Sequence, residues 1–255
     1  AFEAWDSGSH RAVREAICRH AEMNWHWIVL GAANWRWRLR LSAPSLVSEA
    51  KKAGVLAGEW DVVFATSLVP LADLVSLLPP RLAALPRVLY MHENQAEYPA
   101  STGEKDHRDV HAVATNIMSM LAADRVLWNS NWNRDSFLAH AETIVRAAKG
   151  AVDRSILDQI EDRSEVVWPP VEIPVASDPG VLHKASEAKS RGLTLVAWPH
   201  RWEHDKGPEE LLAIDAERGE RDRLGWVLLG EQFNTIPEAF PALQQQAGER
   251  IIHAG

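Results

Sequence analysis

The feature that most constrains the fold of this chain is the alternation of short apolar runs with amphipathic helical patterns. Strands are predicted at residues 25–31, 60–66, 87–92, 125–130 and 165–168, after a first strand that ends before Gly8 and looks cut short. Helices are predicted at residues 11–22, 45–56, 71–78, 110–121, 134–148 and 156–160, the first with Ser9 as its N-cap. Elements that alternate at this spacing require a parallel sheet with helices on both faces, so the sequence predicts a doubly wound α/β fold.

A proline-rich segment from Pro169 to Pro174 interrupts this alternation and is expected to form a stiff, extended connector. The pattern then begins again, with strands predicted at 193–198, 225–230 and 250–253 and helices at 208–218 and 237–247. Three strands are too few for a complete doubly wound domain. We therefore expect a Rossmann-like domain over residues 1–175 and the start of a second, incomplete in this chain, over residues 186–255.

Composition argues against several classes of protein. With a formal net charge of −8, the chain has no overall field that attracts nucleic acid, so any RNA contact must use a local basic patch. The single cysteine, Cys18, excludes an intramolecular disulfide and is typical of a reducing compartment, so we expect a cytoplasmic protein. The longest apolar stretch, residues 62–78, is broken by Pro70 and Asp73 and predicts no membrane span. The sequence contains no Gly-x-Gly-x-x-Gly motif, which argues against a dehydrogenase.

Ligands of open parallel sheets bind at the carboxyl ends of the strands, and the unusual polar residues of this sequence fall at those ends. They are Gly8, Ser9 and His10; Arg36, Arg38 and Arg40; Thr66 and Ser67; His92, Glu93, Asn94 and Gln95; Asn129 and Ser130; and, after the connector, Arg201, Lys206, Gly230 and Glu231. The sequence therefore predicts a binding site along these strand ends.

The loop after the strand at 193–198 carries two cations, Arg201 and Lys206, directly before a helix that begins at Pro208. A strand, a cationic loop and a helix N-terminus form an arrangement that binds a diphosphate, because fixed positive charge and free backbone N–H groups, such as that of Gly207, meet at one point. A solvated loop with two surface cations is the alternative interpretation of the same residues.

Basic and aromatic residues alternate in one segment, at Trp35, Arg36, Trp37, Arg38 and Arg40. Guanidinium groups for phosphates and indoles for base stacking are the side chains that single-stranded RNA recognition uses. From the spacing alone, an alternating strand with one charged face is equally consistent.

Two histidine pairs have i, i+4 spacing, His200 with His204 and His107 with His111. The first pair lies in a predicted loop, and neither has an evident third ligand, so we predict no metal site.

Three motifs are spread over most of the chain: Gly-Ser-His-Arg at 8–11, Tyr-Met-His-Glu-Asn-Gln at 90–95, and Trp-Pro-His-Arg-Trp-Glu-His-Asp-Lys-Gly-Pro-Glu at 198–209. Together they resemble the glycosyltransferase-4-like family that contains the tRNA-queuosine α-mannosyltransferases. The resemblance implies the GT-B fold, in which two Rossmann-like domains face each other. It also implies transfer of mannose from GDP-mannose to queuosine in the tRNA anticodon loop, with retention, no protein nucleophile and no further cofactor.

The resemblance also implies roles for particular residues. Arg201 and Lys206 are expected to stabilise the leaving diphosphate, His92 to contact the donor sugar, and Glu93 beside it to hold a sugar hydroxyl or accept a proton. On the donor side we further place Gly8, Ser9, His10, Gly207, Gly230 and Glu231. On the acceptor or RNA side we place Trp35, Arg36, Trp37, Arg38, Arg40, Asn94, Gln95, Asn129 and Ser130.

Two alternatives stay open at this point. One is a related GT-B enzyme that uses another nucleotide sugar or a small acceptor, and the other is a non-catalytic module that binds RNA or a nucleotide. The family's two donor-gripping glutamates are expected beyond residue 255, so the donor base and sugar cannot be read from this sequence.

Overall fold

The structure, a computed structural model, describes residues 1–96, 110–172, 178–230, 232 and 236–255. These divide into two compact units, the first with the described residues up to Glu172 and the second with those from Asp178 onward. The division falls in the proline-rich segment. The assignment of residues 1–175 and 186–255 to acceptor-side and donor-side domains stays a prediction.

The first unit contains a six-stranded sheet in the order β2-β1-β3-β4-β5-β6, with every neighbouring pair parallel. The strands are β1 Phe2–Glu3, β2 Ile28–Val29, β3 Val63–Thr66, β4 Arg87–Met91, β5 Arg125–Trp128 and β6 Ser164–Val166. The order reverses between β1 and β3, and in parallel α/β sheets such a reversal opens a crevice at the carboxyl ends of the strands.

Helices cover both faces of this sheet. Neighbouring residues of a strand point to opposite faces, and both faces carry apolar side chains that must be buried. In β4, Leu89 and Met91 pack into the large core, whereas Tyr90 packs on the other face with Phe64 of β3 and Val13. The helices of this unit are α1 Gly8–His20, α2 Trp35–Lys52, α3 Leu71–Leu77, α4 Pro80–Ala83, α5 Val110–Ala122, α6 Asn131–Ala147 and α7 Ser155–Glu161. The predicted doubly wound α/β fold is confirmed.

Two local predictions were wrong. Helix α2 begins at Trp35, not near residue 45, because Leu39, Ala43 and Leu46 form a buried stripe at helical spacing that outweighs the Trp-Arg alternation. Helix α1 begins at Gly8, so Ser7 occupies the N-cap position and Ser9 lies in the first turn.

The second unit contains a three-stranded parallel sheet in the order β7-β8-β9, with β7 Thr194–Pro199, β8 Leu224–Leu229 and β9 Ile251–Ala254. Its helices are α8 Pro179–Ser190, α9 Pro208–Ile214 and α10 Ala239–Ala247. Helix α8 lies in the stretch expected to join the domains, and Asp178 caps it by accepting a hydrogen bond from the Gly180 N–H at 2.7 Å. One core of this unit contains Trp198, Trp226 and Phe240.

A buried ion pair holds the interior of the second unit together. Asp215 follows α9 in a π-helical turn, and its carboxylate accepts two hydrogen bonds from the guanidinium of Arg250. The same carboxylate accepts from the indole of Trp226 at 2.7 Å and from the amide of Gln246 at 2.8 Å. These four side chains connect the turn to β8, to α10 and to the start of β9.

Among the described residues, no helix combines the length and the apolar character that a membrane crossing requires.

Candidate active site

The polar residues at the carboxyl edge of the first sheet meet where the strand order reverses. His10 lies in α1, which follows β1, whereas His92 and Glu93 directly follow β4. Thr66 ends β3, and both Thr66 and the adjacent Ser67 are buried. The structure thus places together residues that lie up to about 80 positions apart in the sequence.

Glu3, at the end of β1, is the centre of this group. Its side chain is fully buried, and one carboxylate oxygen lies 3.1 Å from Nδ1 of His10 and 3.8 Å from Nε2 of His92. The other oxygen accepts the backbone N–H of Trp5 at 2.7 Å. The imidazoles of His10 and His92 stack with their centroids 4.0 Å apart and 26° between their planes.

The surroundings drive the two histidines to different protonation states. Burial lowers the pKa of His10, but the hydrogen bond and charge of Glu3, with the charges of Glu93 and Asp6, outweigh it and raise the pKa above 6.5. Burial, together with the charge of His10, holds the pKa of His92 well below 6.5. One imidazole of the stack therefore carries a positive charge more readily than the other.

The same three residues are the cluster that offers ligand atoms for a metal, with donor atoms within 4.8 Å of one another among the described residues. A metal needs lone pairs that converge on one point about 2 Å from each donor. The lone pairs of two imidazoles lie in the ring planes, and the planes of stacked rings run side by side. The observed geometry fits an ion pair between Glu3 and His10 better than it fits a metal centre.

Hydrogen bonds from α6 and from Asn129, which lies between β5 and α6, hold the segment that carries His92 and Glu93. Asn129 donates to the carbonyl of His92 at 2.6 Å, and Asn133 donates to the carbonyl of Met91 at 3.1 Å. Asn94 donates to the Ser136 hydroxyl at 2.8 Å and is buried, as is Gln95, whose amide donates to Glu93 at 2.9 Å. Ser130 caps α6 by accepting from the Asn133 N–H at 3.1 Å. In this structure Asn94, Asn129 and Ser130 shape the site, and their predicted contact with the acceptor stays a prediction.

The basic–aromatic segment forms the first turns of α2. Arg36 and Arg40 are four residues apart and share one exposed side of the helix, whereas Trp35 is half-buried with Arg36 over its ring at 5.2 Å. Arg38 lies on another side and donates to the Gly31 carbonyl at 3.0 Å. Trp37 is 61% exposed. The three arginines thus do not form a single charged face.

In the second unit, the predicted diphosphate loop follows β7 and leads into α9. Lys206 donates to the carboxylate of Asp205 at 2.6 Å, and Arg201 lies 3.0 Å from the carboxylate of Glu203. Trp202, between them, is buried and stacks on Phe240 at 4.6 Å, which anchors the loop to the core. Both predicted phosphate-binding cations are therefore paired with acidic residues of their own loop.

Gly230 directly follows β8, at the same edge of the sheet as this loop. Its φ is +126°, and a Cβ here would lie 2.2 Å from the carbonyl oxygen of His200, so a larger residue would push the two loops apart. Gly207 begins α9 with a φ of +70°. Glu231 and His107 lie outside the described residues.

A family model for the N-terminal part of tRNA-queuosine alpha-mannosyltransferase matches residues 1–171. The chain belongs to this family. A curated relative, the tRNA-queuosine alpha-mannosyltransferase of Drosophila melanogaster, is 33% identical over 230 residues, which are 89% of this chain and 59% of the relative. The chain thus spans less than two thirds of the length of that tRNA-queuosine alpha-mannosyltransferase.

Solved structures confirm the fold. The crystal structure of Anabaena Alr3699/HepE in complex with UDP has a TM-score of 0.60 and 14% identity, and the match covers 98% of this chain and 65% of that one. An E. coli trehalose-6-phosphate structure bound with UDP-2-fluoro glucose has a TM-score of 0.52 and 11% identity. That match covers 98% of this chain and 69% of the other chain. At these identities the likeness shows fold alone, and the fold is that of GT-B glycosyltransferases.

The sequence analysis missed two residues of the candidate site in this tRNA-queuosine alpha-mannosyltransferase family member. Glu3 lies in a short apolar run at the start of the chain, and a charged residue inside a predicted buried strand was the available signal. Asn133 directly precedes the helix predicted over residues 134–148, whereas the structure buries it in the first turn of α6, where its amide also donates to Asn129.

Proposed function

We propose that the protein transfers mannose from GDP-mannose to queuosine in the tRNA anticodon loop and forms an α-linkage with retention. The match to the Drosophila tRNA-queuosine alpha-mannosyltransferase over 89% of this chain is the observation that carries the proposal. We place the reaction in the cytoplasm, on the grounds of the single cysteine and the tRNA acceptor.

In this proposal, the loop after β7 stabilises the leaving diphosphate. As the bond between the sugar and the diphosphate breaks, negative charge grows on the leaving group, and preorganised cations are most effective where such charge develops. Lys206 and Arg201 would exchange their present partners, Asp205 and Glu203, for phosphate oxygens. Because retention of this kind needs no protein nucleophile, no residue is assigned that role.

In this proposal, the polar residues His92 and Glu93 after β4 bind the donor sugar. His92 is nearly buried and has a lowered pKa, so its neutral imidazole can accept or donate one hydrogen bond to a sugar hydroxyl. Glu93 lies beside it and is held by Gln95. Hydrogen bonds from Asn129 and Asn133 fix this segment, which is the preorganisation that transfer requires.

The donor nucleotide is tested by a direct comparison. Both structural neighbours contain uridine nucleotides, which favours UDP-sugars as the second candidate. Binding of GDP-mannose, UDP-glucose and ADP-glucose to the full-length protein should rank GDP-mannose first. A preference for a UDP-sugar would reject the mannose donor and leave the glycosyltransferase assignment intact.

The acceptor is tested with two forms of one tRNA. The full-length protein should transfer sugar to tRNA that carries queuosine and give no product with the same tRNA carrying guanine, because guanine lacks the cyclopentene diol that receives the sugar. Labelled sugar in the isolated tRNA is the measurement. Equal transfer to both, or to neither, would reject queuosine as the acceptor.

Helix α2 offers a basic surface for this tRNA. The sequence contains no acidic residue between Glu22 and Glu49, and the first turn of α2 also contains none. Arg36 lies in the first turn, where a cation opposes the helix dipole at a cost of about 0.3–1 kcal/mol, so the dipole does not favour an arginine at this position. Arg36 and Arg40 are both exposed, and guanidinium groups are suited to bind the phosphates of the tRNA backbone.

Replacing both Arg36 and Arg40 by alanine should weaken tRNA binding and flatten its salt dependence by roughly 1.4 in log K per log unit of salt, at about 0.7 for each single-strand phosphate contact. Nucleotide-sugar binding should be unchanged. Filter binding from low to moderate salt measures the slope. Arg38→Ala is the matched control, because Arg38 donates to the Gly31 carbonyl, and an equal loss of slope there would contradict the assignment.

A further inference from the structure

We propose that Glu3 is a positioning residue that fixes both the tautomer and the positive charge of His10 and thereby keeps the stacked His92 neutral. The consequence for the reaction rests on the proposed glycosyl transfer, whereas the charge assignment itself does not. The pair of histidines would then offer two different groups to the substrate: a cation at His10 and an uncharged imidazole at His92.

The hydrogen-bond geometry determines the tautomer. A carboxylate accepts only, so the 3.1 Å contact with Glu3 requires the hydrogen of His10 to be on Nδ1. The backbone N–H of Trp5 holds the second oxygen of Glu3, which stops the carboxylate from turning away. Nε2 of His10 is the nitrogen left for a substrate, in the way that a buried carboxylate orients catalytic histidines elsewhere.

The arrangement of charges assigns the proton. Four ionisable groups face His10: Glu3 in β1, Asp6 in the following loop, and His92 and Glu93 after β4. Asp6 is already paired with Arg14 at 2.6 Å and with Arg11 at 3.4 Å. Glu3 is therefore the main partner of His10. Two positive charges 4.0 Å apart repel strongly in a buried site. A proton on His10 therefore keeps His92 neutral.

Burial explains why Glu3 depends on this pair. A fully buried carboxylate without a compensating charge costs several kcal/mol, and a charge-assisted hydrogen bond to imidazolium offsets that cost. In its charged state, His10 can donate from Nε2 to an anionic oxygen. In the proposed reaction the sugar nucleotide supplies such an oxygen, which makes donor binding dependent on pH.

The direction of this dependence follows from the raised pKa of His10. The imidazolium is present below that pKa and is lost as the pH rises through it, so donor affinity should fall over that range. Removing the charge of Glu3 leaves burial as the dominant influence, which lowers the pKa of His10 and moves the loss of affinity to lower pH.

The decisive measurement is an NMR titration of the imidazole nitrogens in this chain and in Glu3→Gln, with His10 assigned by its disappearance in His10→Asn. Glutamine keeps the size of the side chain but loses its charge, and it offers one acceptor oxygen where Glu3 uses two. We expect the pKa of His10 to fall below its ordinary value of 6.5 in Glu3→Gln. Glu165→Gln, at an exposed carboxylate of β6, should leave the titration unchanged.

An unchanged pKa in a folded Glu3→Gln protein would overturn the proposal, as would zinc-induced stabilisation that depends on Glu3 and both histidines. If Glu3→Gln fails to fold, Glu3→Asp serves instead and should lower the pKa of His10 by less. These readouts need no enzymatic activity, so they decide the charge assignment even if the proposed transfer reaction is wrong.

The kinetic consequence is measured in the full-length protein. At a pH between the His10 pKa values measured for the two proteins, Glu3→Gln should raise KM for the sugar nucleotide about tenfold, which is the effect of one lost charge-assisted hydrogen bond, while kcat changes less. Lowering the pH should restore part of the affinity. A merely structural role would lower kcat and raise KM at every pH, and that result would also reject the proposal.

Discussion

Replacement of Lys206 by alanine in the full-length protein should lower the rate of sugar transfer by about 10²-fold or more, while the protein still folds. The ammonium group is a fixed charge beside the position proposed for the diphosphate, and its effect is largest when the leaving group is most negative. Lys206 is a partly exposed loop residue, so its removal should leave the protein folded, although the carboxylate of its partner Asp205 is only 6% exposed and loses a charged partner. Arg201→Ala should act in the same direction. Single-turnover transfer from the sugar nucleotide, read beside a thermal melt, measures both effects.

A matched control separates this role from a general loss of positive charge. Lys189 lies at the exposed end of α8 in the same unit, and Lys189→Ala removes an equal charge away from the loop. Its turnover should stay within a factor of two or so of the parent, as expected for a solvent-screened charge. If Lys206→Ala is as active as Lys189→Ala, the lysine has no part in the transfer step.

Replacement of Arg250 by alanine should destabilise the second unit by about 3–5 kcal/mol, because it leaves the carboxylate of Asp215 buried without its main charged partner. The side chain of Asp215 is fully buried, and the guanidinium of Arg250 is 9% exposed. Arg250 also donates to the Leu224 carbonyl at 3.1 Å, so its loss removes a link to β8 as well. Chemical denaturation followed by circular dichroism measures the change.

Arg218→Ala is the control for this prediction. Arg218 pairs with Asp222 at 2.6 Å on an exposed surface of the same unit, where a single ion pair contributes about 0.3–0.5 kcal/mol. A loss at Arg250 as small as that at Arg218 would contradict the structural role of the buried pair.

Acid should reproduce the effect of removing Arg250. Burial raises the pKa of Asp215, but hydrogen bonds from Arg250, Gln246 and Trp226 outweigh it and hold the pKa below its ordinary value of 3.8. The contribution of Asp215 to stability is therefore complete above that ordinary value and is lost as the pH falls through the lowered, folded-state pKa. The difference in stability between the parent and Arg250→Ala should accordingly narrow in strong acid.

Periodicity predicted the elements well where burial alone decides conformation. The β-branched and apolar runs of β3, β4 and β8 are buried on both faces and were found within a few residues of their bounds. The segment from Trp35 to Arg40 was ambiguous because strand and helix patterns overlap there. The burial of Leu39 and Ala43 in the large core favours the helix over the strand, and the sequence alone did not show it.

The sequence by itself determined the α/β class, the parallel sheets, the interruption near residue 170 and the family, because local periodicity and short motifs record which residues are buried and which follow a strand. The tertiary structure alone decided which side chains of the site contact one another. The strand order brings Glu3, His10 and His92 together across β1 and β4, and the loop after β7 sets Lys206 against Asp205. Side-chain partners of this kind depend on which strands are neighbours and on how a loop turns, and no local pattern along the chain encodes either.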